Sequence, residues 1–133
     1  MKFLLDTDTF SVAARDGSQP LRQRLAQVAT QDIALSAIAL GEIEFGLARH
    51  TPPERIVRRI ATLRASFQVM AVGDSVAAVY GTLRQDLQRR GTPIGPNDMW
   101  IAAHALAENL TLVTGNEREF SRVPGLRIEN WLR

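Results

Sequence analysis

The chain of 133 residues contains no cysteine, which removes disulfides, thiolate metal sites, iron–sulfur clusters and a cysteine nucleophile together. Lysine is nearly absent: Lys2 is the only one among sixteen cations, so mechanisms that need a well-placed lysine from a separate segment are excluded. There are two histidines, His50 and His104, far apart in the chain, and with no thiolate to join them a zinc site is not expected. Long hydrophobic runs are missing as well. The opening MKFLLDTD meets an acid after three apolar residues, which suits neither a signal peptide nor a membrane span. A soluble cytoplasmic chain without a membrane partner is the expectation.

What is present is ordinary for a globular protein: 45% hydrophobic and 23% charged residues exclude disordered and fibrous classes. Size scaling gives roughly 7,000 Å² of folded surface against roughly 21,000 Å² unfolded, enough burial for one core. With no repeat, low-complexity tract or linker, residues 1–133 read as a single domain. Fifteen of the sixteen cations are arginine. A GC-rich genome favours that composition, and so does phosphate recognition by guanidinium forks; composition alone serves both.

Periodicity alternates strands with helices. Phe3-Leu4-Leu5 is an apolar run that ends abruptly at Asp6, as a buried parallel strand does. A helix opens at Pro20, Ile33 to Ser36 reads as a second strand, and an apolar helix runs from about Ile38 to Arg49, stopped by Thr51-Pro52-Pro53. Glu54 to Phe67 is amphipathic, Val69 to Val72 is a third strand, and Gly73-Asp74-Ser75 caps a helix ending near Arg90-Gly91. Asn97 to Asn109 is helical, Thr111 to Thr114 a fourth strand, Glu117 to Phe120 a helical turn, and a last strand lies around Arg127-Ile128-Glu129. This order predicts an α/β fold: a mainly parallel sheet of four or five strands with helices on both faces. Ligands of such sheets bind at the carboxyl ends of the strands.

That rule singles out Asp6, where the first strand ends, although Asp8 or Thr9 beside it would also serve as a helix cap. Glu42 has Ile38, Ala39, Phe45 and Gly46 three and four residues away, which places a carboxylate on an apolar stripe. Such a group needs a partner, a raised pKa or a metal; an ion pair with Arg49 is the structural alternative. Glu44 lies on another face and reads as solvated. Asp98 shares a face with Ile101, Ala102 and Ala105 in the first turn of its helix, where acids also complement the helix dipole. Asn116 and Glu119 match a capping-box variant, yet they follow the fourth strand and face the same crevice. A cluster of carboxylates is stable only with cations, and hard oxygen ligands suit Mg²⁺ or Mn²⁺, which activates water and steadies a phosphate. His104, mid-helix among alanines, reads as a packing or surface residue, and Trp100, Trp131 and Tyr80 as core or interface residues.

Four segments in order carry a likeness: Leu4-Leu5-Asp6-Thr7-Asp8, the stretch from Ser36 to Gly46, Gly95-Pro96-Asn97-Asp98, and Val113 to Phe120. Together with the ending Pro124 to Trp131, they make the chain resemble a PIN domain, and more narrowly the VapC toxins of type II toxin–antitoxin modules. The resemblance implies a Mg²⁺- or Mn²⁺-dependent endoribonuclease acting on structured RNA, often tRNA. It also implies a homodimer silenced by a VapB-type antitoxin. By position, Asp6 and Asp98 would be the principal metal ligands, with Glu42 completing the site. Many PIN domains have an aspartate where this chain has Asn116, a neutral and weaker ligand; either Glu119, one helical turn away, supplies the missing charge, or a second metal binds only with RNA present, and the first reading is preferred. A haloacid-dehalogenase-like phosphatase would share the Asp6-Thr7-Asp8 strand end, but its lysine is missing, because Lys2 lies on the strand of Asp6 itself. An RNA- or protein-binding module without catalysis is the other alternative.

Overall fold

In the computed structural model, which describes residues 1–133, five short strands form one all-parallel sheet in the order β3-β2-β1-β4-β5. They are β1 (Phe3–Leu5), β2 (Ile33–Ser36), β3 (Gln68–Met70), β4 (Thr111–Val113) and β5 (Ile128–Glu129). Successive strand residues point to opposite faces, and Leu4 with Leu5, all of Ile33 to Ser36, and Leu112 with Val113 are buried. Both faces of the central strands are therefore covered, which is why these segments read as continuous apolar runs rather than alternating ones. The edge strand β3 is the exception. Gln68 and Val69 are exposed, and the strand begins one residue earlier and ends two earlier than its hydrophobicity suggests.

Seven α-helices connect and cover the strands: α1 (Thr7–Ala14), α2 (Gln19–Gln27), α3 (Ala37–Arg49), α4 (Glu54–Ser66), α5 (Asp74–Arg89), α6 (Pro96–Ala107) and α7 (Glu117–Phe120). Helix α1 has no strong periodic signature. It starts because the Asp6 carboxylate accepts a hydrogen bond from Thr9 N–H at 2.9 Å, so Asp6 is the N-cap and neither Asp8 nor Thr9 is. Its far end is held by Arg59 of α4, which donates to the carbonyls of Ala13 and Ala14 at 2.9 and 3.0 Å. Ser18 and Ser36 cap α2 and α3 through their hydroxyls. At α5 the residue in the cap position is Gly73, with no side-chain bond; Asp74 and Ser75 already belong to the helix. The turn into β5 uses Gly125 at φ +77, a region that other residues avoid. No helix is long and apolar enough to cross a membrane.

Chain order reverses between β1 and β4: β2 and β3 extend the sheet on one side of β1, then the chain returns to place β4 on the other. In register, Leu5 stands beside Val113, so Asp6 and Thr114 leave the sheet together at this switch point. The apolar stripe of α3 divides along its length. Ala39 and Ile43 join the core, whereas Phe45 is 64% exposed. Leu4→Ala in the central strand is expected to cost about 2–5 kcal/mol, whereas Phe45→Ala should stay within about 0.5 kcal/mol. Urea unfolding of the two variants beside the parent measures both.

Candidate active site

Asp6 is only 4% exposed, and both of its oxygens are engaged. Oδ1 accepts from Thr9 N–H and Oδ2 from the Thr114 hydroxyl at 2.6 Å, across the β1/β4 switch point. Burial pushes its pKa up; the bonds from Thr114 and Thr9 oppose this, and the neighbouring charge of Asp8 adds to it. Thr114 in turn accepts from Asn116 N–H at 2.9 Å, which ties the β4 loop to the same point.

Glu42 reaches this region from α3. Its Oε1 accepts from the Thr7 hydroxyl at 2.6 Å, so the first turn of α1 holds Asp6 at its cap and Glu42 through its next residue. Glu42 is half-buried rather than sunk in an apolar stripe, because the stripe's outer end faces solvent. The alternative ion pair with Arg49 does not form; that guanidinium lies 5.4 Å from the Phe45 ring centre. Glu44 is exposed and paired with Arg64, as its other face implies.

Asp98 sits in the first turn of α6, opposite Glu119. Gly95 N–H donates to Glu119 Oε1 at 2.9 Å, and Asn116 Nδ2 donates to Oε2 at 2.9 Å. A capping box would have Glu119 accept from the backbone of Asn116. Here that N–H is taken by Thr114, and the Glu119 carboxylate turns toward Asp98 instead. Desolvation, then the charge and hydrogen bond of Glu119, then the charges of Asp6 and Glu42 push Asp98 up to about 7. Burial by itself would raise Glu119 too, but Gly95, Asn116, Asp98 and the charge of Arg122 outweigh it and hold Glu119 below its usual range. Near neutrality the Asp98–Glu119 pair therefore holds its proton more tightly than two isolated carboxylates would.

Asp98 feels the charges of the other three acids, yet none of the four takes part in any of the chain's six ion pairs. Such crowded, uncompensated carboxylates match a hard divalent cation in charge and in donor type. They do not stand as a ready three-ligand shell; each engaged oxygen of Asp6 keeps a further lone pair for a ligand. The widest concavity, about 930 Å³ along α5, holds none of the acids. A smaller groove of about 560 Å³ reaches Glu42, lined also by Thr7, Ile38, Phe45, Arg49 and Asn97.

Of the acids singled out from sequence, Glu119, Asp6 and Glu42 lie near enough for their charges to reach Asp98, and Asn116 braces Glu119. Sequence reasoning missed Thr7, Thr114 and Gly95, which hold those acids in place. The signal for Thr114 was its place one residue past β4, equivalent to Asp6 past β1. His104, read as packing or surface, is fully buried and bonded to Ser36; burial pushes its pKa down, against a weaker opposing pull from Glu108.

The fold and the acids can be set beside known proteins. The PIN domain family profile matches residues 3–126. The tRNA(fMet)-specific endonuclease VapC of Salmonella typhimurium is 36% identical over 131 residues, covering 98% of each chain. Ribonuclease VapC2 of Rickettsia felis is 34% identical over 132 residues, again 98% of each. Among solved structures, VapBC2 from Rickettsia felis bound to a promoter DNA fragment superposes with a TM-score of 0.90 at 33% identity, over 98% of this chain and 99% of that one. DNA-bound VapBC from Salmonella typhimurium gives a TM-score of 0.90 at 36% identity and 98% of both chains.

The raised pKa of Asp98 has a consequence for stability. Its folded value lies above the unfolded one, so the folded chain binds more protons between about pH 4 and 7 and loses stability as pH rises through that window. Asp6, raised by burial, acts in the same direction. Metal-free protein should therefore show a smaller contribution from these groups to its melting temperature at pH 8 than at pH 5. Asp98→Asn should flatten the slope, and a slope unchanged by that substitution would contradict the crowding.

Proposed function

Because the chain belongs to the PIN-domain family, in its VapC branch of ribonucleases, we propose that it is the toxin of a type II toxin–antitoxin pair. In this reading it is a single-domain cytoplasmic endoribonuclease that hydrolyses RNA phosphodiester bonds with Mg²⁺ or Mn²⁺. The observation that carries it is the approach of Asp6, Glu42 and Glu119 to Asp98 with no ion pair to any of them, where burial and then these neighbouring charges push Asp98 up to about 7. Since the Salmonella relative is named as tRNA(fMet)-specific, tRNA is the first substrate to try. Since the structural neighbours are VapBC assemblies, a VapB-type antitoxin is the proposed partner.

Asp6 and Asp98 are the proposed principal ligands, with Glu42 and Glu119 in support. When bound, the cation would neutralise these carboxylates, activate water and steady the phosphate for in-line displacement. Asp6 is prepared for its part by Thr9 N–H and Thr114, which stop the carboxylate rotating. Thr7 aims Glu42. Asn116 is neutral and bonded to Glu119, so its proposed role is to orient that charge rather than to supply one. The groove lined by Phe45, Arg49 and Asn97 offers RNA a guanidinium and an amide next to Glu42.

Purified protein should cut RNA with added Mg²⁺ or Mn²⁺, stop in excess EDTA, and leave 5′-phosphate and 3′-hydroxyl ends. Asp6→Asn should abolish cutting, whereas a module that only binds RNA would lose nothing with metal removal. Undiminished cleavage in chelator, or 2′,3′-cyclic phosphate ends, would overturn the metal mechanism. Glu119→Ala should weaken turnover by roughly 10–100-fold. Asn116→Ala should cost less activity and about 1 kcal/mol of stability from the lost cap of α7. Melting curves run beside the assays separate the two effects.

A further inference from the structure

Outside the carboxylate cluster, one buried polar pair joins the two long helices that carry it. His104 of α6 is 0% exposed, and its Nδ1 lies 2.9 Å from the Ser36 hydroxyl oxygen. Ser36, also fully buried, is the N-cap of α3 and accepts from Ile38 N–H at 3.1 Å. The site acids lie equally far from this bond along their helices, Glu42 six residues after Ser36 and Asp98 six residues before His104. At about 1.5 Å per residue, each sits roughly 9 Å away along its helix. Helices α3 and α6 pack directly on one another, so a change at the bond is transmitted to both carboxylates as a shift of rigid elements.

The second ring nitrogen, Nε2, is buried and has no partner. In either tautomer the ring makes one hydrogen bond and leaves one polar atom unmet, which carries a desolvation penalty. Leucine at this position, among Ile101, Ala102, Ala103 and Ala105, would fill similar space without that penalty, but would leave the buried Ser36 hydroxyl without its imidazole partner. The two costs are of the same kind, so stability does not single out histidine, whereas a bond to the helix that holds Glu42 requires a polar atom here.

We propose that the His104–Ser36 hydrogen bond is a latch that fixes α3 against α6 and so sets the approach of Glu42 to Asp98. Both are positioning residues, touching neither RNA nor cation. The proposal rests on the nuclease reading above, and its test separates the two.

His104→Leu removes the bond together with the unmet nitrogen. His104→Asn keeps a hydrogen-bonding atom where Nδ1 stood, because both atoms are attached to Cγ. His104→Gln carries its amide one atom further out, beyond that position. The leucine variant trades the unmet ring nitrogen for a Ser36 hydroxyl left without its imidazole partner, so it should fold and melt within a few degrees of the parent protein. Its kcat should fall roughly tenfold with KM for RNA little changed, and its affinity for Mn²⁺ without RNA should weaken in parallel, the low end of what outer partners of metal ligands contribute. Asparagine should restore most of kcat and of the Mn²⁺ affinity, and glutamine should not. A leucine variant with unaltered kcat and Mn²⁺ affinity overturns the latch. So does one that fails to fold, or a kcat loss that asparagine leaves in place, since either marks His104 as a packing residue. Parent protein inert toward both RNA and Mn²⁺ overturns the nuclease reading itself, and the latch with it.

Discussion

The hydrogen bond from Thr114 to Asp6 spans the point where the sheet reverses its order, joining residues 108 positions apart. Much of the site is built outward from it. Asp6 is buried where an ionised carboxylate is costly, and Thr114 with Thr9 N–H offsets part of that cost. The same carboxylate caps α1, which sets the direction in which Thr7 points, and Thr7 holds Glu42. From the other side, the Thr114 oxygen receives Asn116 N–H, and Asn116 braces Glu119 against Gly95 and Asp98. A sheet with parallel neighbours at this point is what allows one threonine to serve both loops.

The distribution of arginine bears on the same site. Fifteen guanidiniums are available, yet the six ion pairs all involve other acids. Arg59 is spent on the open carbonyls of α1, and Arg127 on Asn109. An internal guanidinium seated among Asp6, Glu42 and Asp98 would relieve their repulsion and would compete with any incoming cation. Leaving them unpaired keeps the repulsion as an attraction for divalent metal. The raised pKa of Asp98 shows the same crowding, burial being its largest cause and the charges of Glu119, Asp6 and Glu42 adding to it.

Much of this was legible beforehand. Strand-length apolar runs at Phe3–Leu5, Ile33–Ser36 and Thr111–Val113 marked strands buried on both faces, and the alternation with helices marked a parallel sheet. Asp6 and Glu119 followed from lying just past strand ends. Glu42 was drawn to the site by its apolar neighbours, but for a reason that fails in part: Phe45 on that stripe is open to solvent. Helical spacing shows which side chains share a face and says nothing of whether the whole face is covered. The cap and extent of helix α1 are not legible in the pattern, because its start depends on Asp6 and its far end on Arg59, neither of which leaves a periodic trace.

Sequence by itself determined the class of fold and the order of its strands, and it named the candidate acids, since these depend on local hydrophobic pattern and on residue type. The tertiary structure alone decided who holds whom. Thr7 with Glu42, Gly95 with Glu119, Ser36 with His104 and Thr114 with Asp6 are 35, 24, 68 and 108 residues apart. Each pairing depends on which strands lie side by side and which helices cross above them. A hydroxyl or a peptide N–H is common and carries no pattern in a chain, and it acquires a role only when the folded sheet brings a carboxylate or an imidazole within about 3 Å of it.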